Sequence, residues 1–162
     1  MRQPDRNIDP ETLISQWKNG LRILHIANHR CASRYQARHQ AIGISSVTLS
    51  VIVGTSIFAT VSQAPIFWIS IATGSISVAN ALLAALQTHL RYPERSEKHL
   101  QAAHQYGSLR RHLEEKSSAA KTPSKLVEVL AEIGPKWNEI DHSAPPIPQR
   151  VNNKVVREVK QA

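Results

Sequence analysis

Eight histidines and a single cysteine are the residues of this 162-residue chain best suited to metal or nucleophilic chemistry. His25 and His29 stand four apart and so share a helix face, the spacing of a two-histidine metal motif. No Asp or Glu accompanies them at ligand spacing. His39 and His89 flank an uncharged block and suit a role as amphipathic anchors, while His99, His104, His112 and His142 fall into no metal pattern with carboxylates. Cys31 has no second cysteine to pair with, which excludes an intrachain disulfide and any multi-cysteine zinc site and fits a reducing compartment. The six glycines are scattered rather than gathered into a phosphate-binding loop, and no Ser or Cys nucleophile signature is present. The expectation is therefore a chain that is not an enzyme, with no catalytic residue, no metal and no cofactor.

More informative are the polar groups set inside an apolar stretch. Ser70, Thr73, Ser77, Asn80 and Gln87, with Ala84 between the last two, succeed one another by three or four residues, which places them on one helix face. Ser46, Ser50 and Gly54 make a ladder of small residues four apart, suited to close helix packing. All of them lie where neither sign of charge occurs: positions 39 to 90 hold no Asp, Glu, Lys or Arg. The mean hydropathy of -0.30, the net charge of +8 and the pI near 10.1 describe a soluble basic protein only when averaged over the whole chain. Read by region, Ala41 to Val61 is a run without charge, Asn, Gln or Pro, about 31 Å long as a helix and matching the hydrocarbon core of a bilayer. Ser62, Gln63, Ala64 and Pro65 make a polar break, after which a second apolar segment extends to about residue 87. Such a middle is too apolar for disorder, and it carries neither a collagen nor a heptad repeat.

The simplest arrangement is a transmembrane helical hairpin with spans at about 41–61 and 65–87. Its rival is a hairpin buried in a soluble bundle, but a water-facing helix would need a charged stripe that neither segment has. Phe67 and Trp68 stand at the turn end, where an aromatic belt belongs. Arg30, Arg34 and Arg38 precede the block, Arg91 and Arg95 come after it, and the turn carries no charge, so both termini are expected in the cytoplasm. Those five arginines are candidate contacts for anionic lipid or an anionic activator. The polar stripe on the second span either holds helices together or lines a wet pathway, and the residues alone leave both open. The absence of acids and bases at depth disfavours proton relays and ion-coupled transport.

Outside the block the reading is all-α. Residues 1–9 form a tail and 10–116 the two-span domain, whose Asp9, Pro10 and Glu11 open a helix carrying Leu13, Trp17, Leu21, Leu24, Ala27, Cys31 and Tyr35 on one face. Pro93 marks a kink, beyond which Ala102, Tyr106, Leu109 and Leu113 make a second stripe that pairs with the first. A short third helix spans 122–134, with Leu126, Val129, Leu130 and Ile133 as its apolar face and Gly134 and Pro135 as its stop. Residues 141–162 read as a proline-rich linker and a basic tail, either flexible or a weak surface helix.

Taken together, the basic and tyrosine-containing HRCASRYQARHQA (His29 to Ala41), the two Ser/Thr-rich spans and the subsequent RYPERSEKHLQAAHQYGSLRRHLEE resemble the SLATT domain over roughly Glu11 to Glu115. Glu97, Lys98, His99, Ala102, Ala103, Tyr106, Leu109 and Arg110 carry most of the likeness. The resemblance implies a two-helix membrane effector of bacterial conflict systems. Such effectors work with nucleotide second-messenger synthetases or sensors, and permeabilise the inner membrane during phage infection. It also implies a homo-oligomer in the lipid bilayer, since two helices cannot enclose a channel. No ligand-sensing domain is recognisable beside it. The alternatives are a non-conducting membrane scaffold that docks a partner through its cytoplasmic helices, and, more distantly, a soluble bundle that binds nucleic acid. Nucleic acid is not expected as a partner, because the basic groups track the edges of the apolar block rather than clustering with aromatics.

Overall fold

A computed structural model of the chain describes residues 9–61 and 67–161, with side chains except at 56–61, 69 and 70. It is all-α, with five helices and, among the described residues, no strand: α1 Pro10–Val61, α2 Phe67–Leu90, α3 Tyr92–Ala119, α4 Pro123–Ser143 and α5 Gln149–Gln161. The polar break at 62–66 lies outside the described residues. Two compact units result, Met1–Ser33 with Ser96–Ala162, and Arg34–Arg95.

The first unit is built on the antiparallel pairing of α1 with α3. Ser96 Oγ donates to Ala32 O (2.9 Å), the His99 and Asn28 side chains meet at 2.9 Å, and His25 Nδ1 lies 2.8 Å from Ala103 O. Each step of three or four residues down α1 is matched by a like step up α3. Asn28 and His99 are 0% and 3% exposed, so their hydrogen bonds have to be complete. Asn28 Nδ2 donates to Leu24 O at 3.0 Å, which turns Oδ1 towards His99 and requires His99 Nδ1 to carry the proton. The His25 contact fixes its tautomer in the same way, because a carbonyl can only accept.

The expected stripes are all buried: Ala102, Tyr106, Leu109 and Leu113 on α3, and Leu126, Val129, Leu130 and Ile133 on α4. Ile14 and Leu21 of α1 complete that core, with Leu13, Trp17 and Leu24 packed at its edge. The third helix, however, does not stop at Gly134 and Pro135 but continues to Ser143. Here glycine provides room rather than a terminus. A Cβ at Gly134 would stand 3.4 Å from Trp17, and one at Gly20 would stand 2.9 Å from Trp137. Each tryptophan lies over the other helix's glycine, and the two rings meet edge to face, 5.4 Å apart at 82°. Beyond the proline, Asp141 accepts from Tyr106 (2.7 Å) and Trp137 (3.2 Å), holding the last turns of α4 in place. Burial first, and then Asp141, raise the Tyr106 pKa. These contacts offset the roughly 3 kcal/mol that an interior proline costs.

Glu132 ties α3 to α4 by accepting from Lys136 (2.9 Å), His112 (3.1 Å) and Lys116 (3.3 Å). Hydrogen bonding from Lys136, then His112, then Lys116 lowers its pKa to about 2. The residues expected as linker and tail also differ from the reading: 149–161 form α5, with Val151 and Val155 buried on α1. Valines four apart make an apolar edge that α1 covers.

A Cβ at Gly107 would stand 2.8 Å from His25 Nδ1, whose ring cannot withdraw without losing Ala103 O. Gly107→Ala is therefore expected to cost about 1–3 kcal/mol in thermal unfolding read from the tryptophan pair, whereas exposed Ser108→Ala stays within about 0.5 kcal/mol. Burial lowers the His99 pKa below its ordinary 6.5. The folded state thus disfavours the proton that the unfolded state accepts, so stability is complete above about pH 6.5 and declines as pH falls below it. His99→Gln should make that decline shallower in melting temperatures taken across the range.

Candidate functional site

The uncharged block and its charged flanks form the second unit, in which the end of α1 pairs antiparallel with α2. The rings of Tyr35 and Tyr92 lie 5.9 Å apart at one end. Further along, Gln87 Nε2 lies 3.7 Å from where a Cβ of Gly43 would stand, and Asn80 lies between Ser46 and Ser50. The half-buried positions include Tyr35, His39, Ile42, Ser46, Leu49 and Val53 on α1, and Thr73, Ile76, Asn80, Leu83, Gln87 and Leu90 on α2. Both sets alternate steps of three and four, the period of a coiled-coil seam. Such a repeat escapes a hydropathy reading because half of its members are polar or aromatic.

The contact face of α2 is thus rotated from the expected polar stripe. Thr73, Asn80 and Gln87 belong to the seam, whereas Ser77 and Ala84 are exposed. The side chain of Ser70 lies outside the described residues. Asn80 makes the best-defined contact. Ser46 Oγ donates to Asn80 Oδ1 (2.8 Å), Asn80 Nδ2 donates to Ser50 Oγ (2.9 Å), and Ser50 Oγ donates on to Ser46 O (2.9 Å). A closed cycle of this kind engages both ends of the amide and fixes the register of the two helices. Gly54 continues the small-residue ladder, but nothing described stands within 4 Å of a Cβ built there.

Outside the seam the surface is apolar. Ile44, Val47 and Val51 of α1 and Val78 and Leu82 of α2 are each more than 60% exposed, as are Phe67 and Trp68 at the turn end. Hydroxyls on this surface bond to their own helix: Thr48 to Ile44 O, Thr55 to Val51 O, Ser75 to Ile71 O, Ser77 to Thr73 O and Thr88 to Ala84 O, at 2.9–3.2 Å. A helix whose hydroxyls are satisfied internally can face hydrocarbon at little cost. Among the described residues, one stretch, Ile71–Ala119, holds a window long and apolar enough to cross a membrane, with none of it buried.

The five arginines separate. Arg34, Arg38, Arg91 and Arg95 are exposed in the second unit. Arg91 takes a left-handed conformation (φ 45°) between α2 and α3, two residues before the helix-breaking Pro93, and lies 3.7 Å from Glu94. Arg30 belongs to the first unit, where it is paired with Glu158 of α5. Spacing of four along one helix grouped it with Arg34 and Arg38; its partner, distant in sequence, could not be read from that spacing. Of the histidines, the His25 ring is committed to the Ala103 carbonyl. Among the described residues no group of three or more His, Cys, Asp or Glu converges as a metal site would require. A groove of about 640 Å³ between α3 and α4 is lined by Gln105, Ser108, His112, Lys136, Glu139 and Ser143. Both of its basic groups, His112 and Lys136, are engaged by Glu132.

The chain belongs to the SLATT group, as a member of SMODS and SLOG-associating 2TM effector domain family 4, whose model matches residues 23–115, more than half of its length. That span takes in both helices of the hairpin and most of α3, and leaves α4 and α5 outside. No curated protein and no solved structure matches the chain. It is thus a two-transmembrane effector domain.

Removing the Asn80 amide leaves two seam hydroxyls without their interhelical partner. Asn80→Ala is expected to weaken the hairpin by about 0.6–2 kcal/mol, measured as unfolding in detergent micelles, whereas exposed Val78→Ala should change it far less.

Proposed function

We propose that this protein is a pore-forming effector of bacterial antiphage defence, which oligomerises in the inner membrane and permeabilises it. The observation that carries this reading is the hairpin surface, apolar outside with its hydroxyls satisfied internally, and polar along one rotated edge. One hairpin encloses no channel, so conduction takes several copies. In such an assembly Ser70, Thr73, Ser77 and Gln87 would line or border the pathway. Asn80, Ser46 and Ser50 would hold each hairpin in register, and Gly54 would allow close approach between helices. Both termini would lie in the cytoplasm, placing Arg34, Arg38, Arg91 and Arg95 against anionic headgroups. The family description names association with SMODS and SLOG. The trigger would accordingly be a nucleotide second-messenger synthetase or sensor acting beside this chain. The effect comes from opening a pathway, with no reaction catalysed and no cofactor required. A non-conducting scaffold is the second reading, favoured by the α3–α4 groove, whose lining mixes polar side chains with Leu109 and Ile140.

Fractionation separates the membrane readings from a soluble bundle: recovery in the soluble fraction without detergent ends both. Pore and scaffold are separated by purified protein in dye-loaded liposomes, with and without candidate nucleotides. A pore releases dye, and Ser77→Leu slows release by tenfold or more, the change expected if a lining hydroxyl is worth about 1.4 kcal/mol to passage. Release that Ser77→Leu leaves unchanged, in a variant that assembles normally, places the pathway on another face.

A further inference from the structure

Helix α5 is attached to the first unit by very little. Val151 and Val155 are its only buried residues, and with Ala27 and Cys31 of α1 they form an apolar cluster separate from the main core. Ile23, Ile26, Ile147 and Val159 pack around it. The polar tie between the two helices is the pair formed by Arg30 and Glu158, which holds the Glu158 carboxyl below its usual range. Docking does not satisfy Arg30 fully: its Nη1 is buried without a hydrogen-bond partner among the described residues. The segment before α5, Ala144 to Pro148, contains three prolines and lies outside any helix.

The opposite face of α5 has a single chemistry. Arg150, Lys154, Arg157 and Lys160 are all exposed there, three or four residues apart. Glu158, the sole acid of the helix, is turned inward to Arg30. The four cations extend over about 15 Å of helix and converge on no point, an arrangement fitted to an extended anionic surface rather than to one phosphate. Cations on one face and an aliphatic edge on the other make an amphipathic helix of the kind that lies in a membrane interface. Each cation contributes about the same attraction to anionic lipid, so four act together.

We infer that α5 is a two-position helix whose second partner is an anionic phospholipid surface. Docked, its valines cover Ala27 and Cys31 of α1. In contact with anionic lipid, the cationic face meets headgroups and the valines exchange α1 for the acyl boundary, uncovering that face of α1. This inference rests on the chain being membrane-bound. A duplex nucleic acid would offer the phosphates but no apolar boundary to receive the valines.

Cys31 is the only cysteine of the chain and is 2% exposed beneath α5, so its maleimide reactivity reports undocking directly. The full chain is placed in nanodiscs of phosphatidylcholine, with or without phosphatidylglycerol, and labelling rates are compared. The expected result is labelling about tenfold faster with the anionic lipid, declining towards the neutral-lipid rate at high salt. Glu158→Gln should speed labelling in both lipids by loosening the docked position. Together Arg150→Gln, Lys154→Gln, Arg157→Gln and Lys160→Gln should abolish the lipid dependence and leave the neutral-lipid rate unchanged. Equal labelling in both lipids, with Glu158→Gln fast in both, overturns the lipid-driven exchange. Labelling indifferent to Glu158→Gln and to Val155→Asp overturns the covering role of α5. Acceleration by a duplex oligonucleotide in neutral discs, without acceleration by anionic lipid, also overturns it. Failure of the protein to enter nanodiscs counts against the membrane reading instead.

Discussion

One unbroken helix has to be stable in two solvents. Over its first half α1 carries charges, buries Leu21 and Asn28 against α3 and Ala27 against α5, and packs Trp17 over Gly134. From residue 39 onward it has no charge to offer water and exposes Ile44, Val47 and Val51. Backbone hydrogen bonding within the helix serves equally in either medium. The side chains differ: in the first unit Ser96, His99, His25 and Tyr106 bond across to other helices, and in the second most hydroxyls are turned back onto their own helix. The two units owe their different packing to that change of rule, at a point where the backbone does not change at all.

The exceptions to the second rule are therefore informative. Asn80 is too large and too polar to be satisfied by its own helix; it accepts a hydrogen bond from Ser46 and donates one to Ser50. In an apolar seam, sliding one helix by a turn costs little in packing alone, whereas sliding Asn80 away from two hydroxyls strands an amide in hydrocarbon. Asn28 and His99 have the corresponding role in the first unit, where a buried pair fixes the register of α1 on α3. Each unit thus carries an asparagine at its helix contact, buried at Asn28 and half-buried at Asn80, that singles out its pairing from near alternatives.

The sequence reveals those features in which local pattern and environment coincide. The stripes of α3 and α4 appear because apolar residues at helical period have no other use in a basic region. The apolar block appears because the absence of charge over such a length is a strong signal. Gly134 and Pro135 mislead because the same pair signals a helix stop and permits close approach, and the choice was made by Trp17, far away in sequence. The α2 stripe divides between the seam and the exposed surface, because a polar residue on such a helix is satisfied either across the seam or by its own backbone, as Asn80 and Ser77 respectively show. The docking of α5 and the loss of Arg30 from the arginine group depend on residues more than a hundred positions apart, which no local period encodes.

Whether the second unit stands in lipid with its seam inward is tested most directly by spin labels placed singly along α2, in a Cys31→Ser background, with the full chain in liposomes. Labels at Val78, Leu82 and Leu86 are expected to be relaxed mainly by oxygen, which concentrates in hydrocarbon. Those at Ile76, Asn80 and Leu83 should be shielded from oxygen and from a water-soluble nickel reagent alike. Strong relaxation of Val78 and Leu82 by the nickel reagent would contradict a lipid-facing surface.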